Sequence, residues 1–237
     1  MNAALSRSIS RPPASHASKV RLLDAALRVI RSKGYTATRI EDVCAAAALT
    51  KGSFFHHFSG KEELALAAAG HFGAMADGVF TTAPYRAHAD PLDRLLGYID
   101  FRIAILQGEL PDYTCLLGTL VQEVYDTHPA IREACDTQLR AHCTMLAEDI
   151  ALARRLYAAH APWSADSLAL HIQAVIQGAF ILAKARQGPQ VAADCLKHLR
   201  RYLETQFVRS STPETPPWPA RKRSRPSSGS TTTPKRR

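Results

Sequence analysis

The sequence predicts an all-α protein: a small three-helix unit near the N-terminus followed by a larger helical bundle. Two observations carry this. Apolar residues recur at three-to-four spacing in segment after segment, and no stretch alternates with the period of a strand or shows hairpin turn chemistry. Gly34, Pro84, Pro91, Gly108 and Gly188-Pro189 fall between those segments, where helices stop. A chain of 237 residues has room for one helical core plus a small module.

The first helix is predicted from about Ser18 to Lys33, with Val20, Leu23, Leu27 and Ile30 on one face and Gly34 ending it. Thr38 with Glu41 has the spacing of a capping box, so a short second helix follows. Thr50 is a good N-cap for a third, about Thr50 to His56, and Ser59 with Glu62 has capping-box spacing before a fourth. That fourth helix runs from near Gly60 toward Phe80. Pro84 and Pro91 bracket a break, and Leu92, Leu95, Leu96, Ile99, Ile103 and Leu106 then mark a helix ending near Gly108. Further helices are expected at Cys115 to Tyr125, Pro129 to about Ala159, Ser164 to Arg186 and Pro189 to Phe207. The organisation read from this is an arm at 1–17, a helix-turn-helix domain at 18–64, a second domain at 65–208 and a tail at 209–237.

The second and third helices are joined by a tight turn, and Ile40, Val43 and Leu49 supply contacts to hold them at a fixed angle. A helix-turn-helix needs one helix to brace and the next to lie in the major groove of DNA. Lys51, Ser53, His56 and His57 on the third helix suit phosphates and base edges. The charge is placed accordingly. Of the net +9, residues 18–61 carry eight basic groups against Asp24, Glu41 and Asp42, whereas residues 62–208 are net acidic.

Residues 19–68 resemble the DNA-binding domain of the TetR family of bacterial transcriptional repressors. The resemblance rests on Ala25-Ala26, Gly34-Tyr35, Thr38, Ile40, Val43, Leu49 to Phe54, His57-Phe58 and Lys61 to Leu64. It implies that Lys51 and Ser53 meet base edges, that Gly52 lets the backbone approach, and that Thr38, Thr50, His57 and Lys61 hold phosphates. Arg39, Phe55 and His56 complete the implied DNA-binding set. Two positions depart from the family pattern. Ala48 stands where a turn glycine is usual, and Phe55 replaces a tyrosine whose hydroxyl typically reaches a phosphate. In a left-handed conformation Ala48 would cost on the order of 1 kcal/mol. Thr114 to Glu123 and Thr127 to Arg132 also resemble a ligand-domain segment of one TetR branch, in which a few members sense reactive small molecules through a cysteine at this place.

The resemblance implies a regulator that binds a palindromic operator in double-stranded DNA as a homodimer and is released by a small-molecule effector. Residues from about Leu92 to Ala185 would form a bundle with an apolar cavity. Phe101, Ile105, Cys115, Leu116, Met145 and Gln177 are candidate lining residues; periodic apolar positions also read as plain core. Small and apolar residues on the last two helices, about 164–207, suit a four-helix seam between two copies. Two recognition helices related by a two-fold axis would then read two half-sites.

Other functions find less support. A thiol or histidine enzyme would draw on His56, His57 and the five cysteines, but no catalytic residue set, nucleophile elbow, phosphate loop or cofactor motif is present. Cys135, His142 and Cys143 lack a second ligand pair, so no metal site is expected. Five cysteines without repeated spacing fit reduced thiols. No apolar run is read as a bilayer span and no signal sequence is seen, which places the protein in the cytoplasm with no membrane partner. The tail, rich in Ser, Thr, Pro and Arg/Lys, is expected to be disordered. Arg221 to Arg225 and Lys235 to Arg237 allow an alternative role as a non-specific architectural DNA binder; a solvated tail without a dedicated role is the other reading.

Overall fold

Helix periodicity is realised as ten α-helices in a computed structural model that describes residues 14–209. The predicted arm and basic tail lie, but for their inner ends, outside the described residues. The helices are α1 (Ala14–Lys33), α2 (Ile40–Ala47), α3 (Lys51–His57), α4 (Lys61–Thr81), α5 (Pro91–Ala104), α6 (Leu110–Tyr113), α7 (Leu116–Val124), α8 (Pro129–Tyr157), α9 (Ala165–Arg186) and α10 (Gln190–Gln206). A single 3-10 turn, Pro84–Ala87, fills the break between the two prolines. There are no strands among the described residues. The short α6 went unpredicted, because four residues are too few to show a period.

Two apolar cores divide the chain. The first joins Leu22, Ala26 and Ile30 of α1 to Val43 of α2, Phe54 of α3 and Leu64 of α4. It also takes in Leu116, Leu120 and Val124 of α7 with Ile131 and Cys135 of α8. The N-terminal module is therefore packed onto α7, and its core does not stop near residue 64. The second core is built from Leu95 and Ile99 of α5, Ile150 of α8, Ile172 and Ile176 of α9, and Leu196 and Leu203 of α10. Asp149, buried in this bundle, accepts from Arg86 Nη1 and Arg94 Nε at 2.7 Å each.

Helix α9 is long and apolar enough to cross a membrane by length and composition, contrary to the sequence expectation. Ile172, Ile176, Ala179 and Ala183 occupy the bundle core, while Leu170, Ile181 and Leu182 lie exposed. The five cysteines are unpaired thiols.

Candidate DNA interface and ligand cavity

The helix-turn-helix is set by local chemistry. Gly34 takes φ +85°, which lets α1 end and the chain reverse. Thr38 does not cap α2. The helix starts one residue later, at Ile40, with Arg39 as N-cap, and the Arg39 N–H donates to Asp42 Oδ2 at 2.8 Å. Thr38 is buried and its hydroxyl donates to the Gly34 carbonyl at 2.6 Å. Ala48 is left-handed, with φ 50° and ψ 49°, and Arg21 Nη2 steadies that turn by donating to the carbonyls of Ala47 and Ala48. Thr50 caps α3, its hydroxyl accepting from the Ser53 N–H at 3.1 Å. At α4 it is Glu63, one residue beyond the predicted Glu62, that accepts from the Ser59 N–H and hydroxyl, both at 2.7 Å.

These contacts divide the predicted DNA residues into two sets. Arg39, Thr50, Lys51, Gly52, Phe55 and His56 are exposed, with Ser53 beside them half-buried. Arg39, Lys51 and Phe55 border one shallow depression, so the start of α2 and the face of α3 look the same way. Lys51 pairs with the Glu41 carboxylate, whose pKa that contact lowers. Thr38 and Lys61 border the same depression, but their polar atoms are partnered within the module. Lys61 Nζ donates to the carbonyls of Tyr35, Thr36 and Thr38 at 3.1–3.4 Å and sits 4.4 Å from the centre of the Tyr35 ring. The lysine at the first position of α4 thus holds the loop between α1 and α2. His57 Nε2 lies 2.7 Å from the Ser18 hydroxyl; burial, then the charges of His56 and Lys19, lower its pKa, so it is neutral near pH 7.

A cavity of about 500 Å³ opens between α4, α5, α8 and α9, with Tyr113 of α6 and the start of α7 completing its wall. Of the predicted lining residues, Cys115, Met145 and Gln177 border it. Phe101, Ile105 and Leu116 do not. Phe101 turns its ring to Phe80 and Tyr85, with centroids 5.9 Å from each, and Ile105 packs as the C-cap residue of α5. Leu116 is fully buried on the α7 face that meets the N-terminal module. Sequence reasoning missed Phe72, Gly73 and Phe80 of α4, Arg102 of α5, Gln138 and His142 of α8, and Gln173 of α9. Gln173 was findable. It lies four residues before Gln177 within the apolar middle of the helix, which puts two amides on one face.

The cavity wall carries an ordered polar chain. Arg102 Nε donates to the Tyr98 hydroxyl at 2.9 Å, which in turn reaches His142 Nε2 at 2.9 Å. Arg102 Nη2 also lies 3.3 Å from that nitrogen. A guanidinium only donates, so His142 Nε2 accepts and the ring proton sits on Nδ1. Burial, with the Arg102 charge second, pulls the His142 pKa down to about 3. Tyr113 Oη, Gln173 Oε1 and Gln177 Nε2 are buried with no hydrogen-bond partner, and all three residues border the cavity. Cys135, His142 and Cys143 do not converge: the first sits in the N-terminal core, the second on the cavity and the third in the bundle core.

The cavity is tied to the DNA module through α7. Cys115, its N-cap residue, lines the cavity; Glu123, near its other end, accepts from the Tyr35 and Thr36 N–H groups at 3.1 and 2.9 Å. A Cβ at Gly34 would strike that carboxylate, so Gly34 serves both the turn and this contact. Arg31 adds a bond from Nη1 to the Thr114 carbonyl at 3.2 Å.

Residues 22–68 match the family model for bacterial regulatory proteins of the tetR family, and residues 91–199 match the tetracyclin repressor-like C-terminal domain. The chain belongs to the TetR family. It is a DNA-binding transcriptional regulator and not an enzyme. It is 27% identical over 111 residues to the HTH-type transcriptional repressor DhaR of Mycobacterium sp. strain GP1, a match spanning 47% of this chain and 54% of that protein. Identity reaches 51% over 47 residues with the HTH-type transcriptional regulator CymR of Pseudomonas putida, covering 20% of this chain and 23% of the relative. The fold matches the crystal structure of the regulatory protein TetR from Rhodobacter sphaeroides with a TM-score of 0.71 at 25% identity, over 83% of this chain and all of that one.

Proposed function

We propose that this TetR-family regulator is a ligand-released repressor that reads a palindromic operator as a homodimer in the cytoplasm. The observation that carries the reading is a partly open cavity lined by unsatisfied polar atoms and joined by α4 and α7 to an exposed helix-turn-helix. Arg39, Thr50, Lys51, Gly52, Ser53, Phe55 and His56 form the DNA-facing set, with His57 at its edge. Two copies meet through α9 and α10, where Leu170, Ile181, Leu182 and Tyr202 are exposed. The name of the relative DhaR supports repression.

The geometry supports a route for release. Phe72, Gly73 and Phe80 place α4 on the cavity wall, and α4 begins at the end of the DNA module. A ligand that pushes α4 outward or shifts α7 moves Lys61 or Glu123, the two groups that hold the loop between α1 and α2. The shift requires the ligand to bind the non-DNA state more tightly, since equal affinity changes no population.

The test is equilibrium binding of the full chain, and of the chain ending at residue 209, to DNA from upstream of its own gene and to a scrambled duplex at about 0.15 M salt. Both proteins are expected to prefer their own DNA by about a thousandfold or more. Equal binding to the two duplexes, lost on removing the tail, would replace this reading with the architectural one.

A further inference from the structure

The cavity is chemically lopsided. The cation on its wall, Arg102, has no carboxylate within 4 Å among the described residues, and its guanidinium lies 4.3 Å from the centre of the Phe80 ring. His142 beside it is a neutral acceptor that spreads the charge without cancelling it. The acidic lining residue, Asp77, is exposed at the rim, where water screens it. Phe72, Phe80, Tyr113 and Phe180 line the same space and offer flat apolar surface. Gln173 and Tyr113, each more than nine-tenths buried, hold polar atoms there that nothing in the protein satisfies.

We infer that the ligand of this cavity is an aromatic acid, its carboxylate received by Arg102, its ring held between the aromatic side chains, and any second polar group met by the orphaned atoms: a hydroxyl donating to Gln173 Oε1, or an acceptor receiving from Gln177 Nε2 or the Tyr113 hydroxyl. The inference rests on the cavity being the effector site and adds the class of effector. A planar guanidinium fork presents paired donors to a carboxylate. A cationic ligand would face Arg102 with only a neutral imidazole between. A purely aliphatic ligand would leave the buried amides unsatisfied. The glutamines are held in place: a Cβ at Gly118 would collide with the Gln177 amide, so that glycine makes room for it, and Gly73 does the same for Gln138.

The experiment is calorimetric titration of the full chain with 2-naphthoate, 2-naphthalenemethanol and 2-naphthylmethylammonium, three probes of like shape and different charge. The naphthoate is expected to bind at least about tenfold more tightly than the alcohol, and Arg102→Gln to bring the two within about threefold. Arg102→Lys, which keeps the charge and loses the fork, retains a reduced preference and covers the case in which Arg102→Gln does not fold. The alcohol or the ammonium binding as tightly as the acid, the preference surviving in Arg102→Gln, or no probe binding up to about 1 mM would each overturn the inference. Operator release is measured on the same samples. Naphthoate that binds through Arg102 and leaves DNA bound keeps the ligand class and contradicts the release mechanism instead.

Discussion

The two cores of this protein solve opposite problems with the same kind of helix. Around Leu22, Ile30, Phe54 and Leu64 the N-terminal core is closed, and the polar groups at its edge are matched: Thr38 to Gly34, Lys61 to three carbonyls, Glu123 to two amides. The bundle core borders about 500 Å³ of open space, closed off on the other side by Phe72, Leu117 and Leu139 of the first core, and three polar atoms are stranded on its wall. A surface that reads DNA must hold its shape, and dense packing supplies that. A receptor must stay incompletely satisfied, because a ligand gains affinity only from what the empty protein lacks. The difference between the cores is the division of labour between reading and sensing.

That contrast breaks most readily on matched truncations. Phe54→Ala empties a site in the closed core and should cost about 3–5 kcal/mol, with DNA binding lost, whereas Met145→Ala on the cavity wall should cost about 1 kcal/mol. Denaturant melts of the two variants measure this, and equal costs would end the distinction.

Acid should find the bundle first. His142 has a folded pKa of about 3 against an ordinary 6.5, so the unfolded chain binds the extra proton between those values. The stabilisation is fully present above about pH 6.5 and is lost as pH falls toward 3, by on the order of 2–4 kcal/mol. His142→Gln should flatten that part of the stability–pH curve. A variant curve parallel to that of the parent would show that the histidine is not held neutral.

The link between the cores is tested by Glu123→Gln, which keeps the shape and removes the charge. It should cost about 1 kcal/mol and speed hydrogen exchange at the Tyr35 and Thr36 amides, with the bundle unaffected. Exchange unchanged at those two amides would remove α7 from the route. The smallest expected effect lies in the turn: Ala48→Gly relieves a left-handed alanine and should stabilise the module by about 0.5–1 kcal/mol, read as a higher melting temperature.

The sequence showed the module more plainly than the cavity, for a physical reason. Thr50, Gly34 and the Leu49–Phe54 run act through neighbours three or four residues away, so spacing alone exposes them. The partners of Thr38 and Lys61, Gly34 and the loop carbonyls, were not legible because they depend on how α1, α2 and α4 fold back on one another. The cavity is assembled from α4, α5, α8 and α9, and its polar chain joins Tyr98 and Arg102 to His142 across some forty residues. Periodicity marks Phe101 and Leu116 as inward but cannot say which of two interiors they face. Glu123 reaching Tyr35 over 88 positions left no local trace.

The most direct test of the account is whether the exposed face of α3 reads sequence. Equilibrium binding of the full chain and of Lys51→Ala, against its own upstream DNA and a scrambled duplex at about 0.15 M salt, decides it. The parent should show a preference of about a thousandfold or more, cut at least about tenfold by Lys51→Ala with the melting temperature unchanged. A parent that binds both duplexes equally, or a Lys51→Ala variant that keeps the full preference, would contradict it.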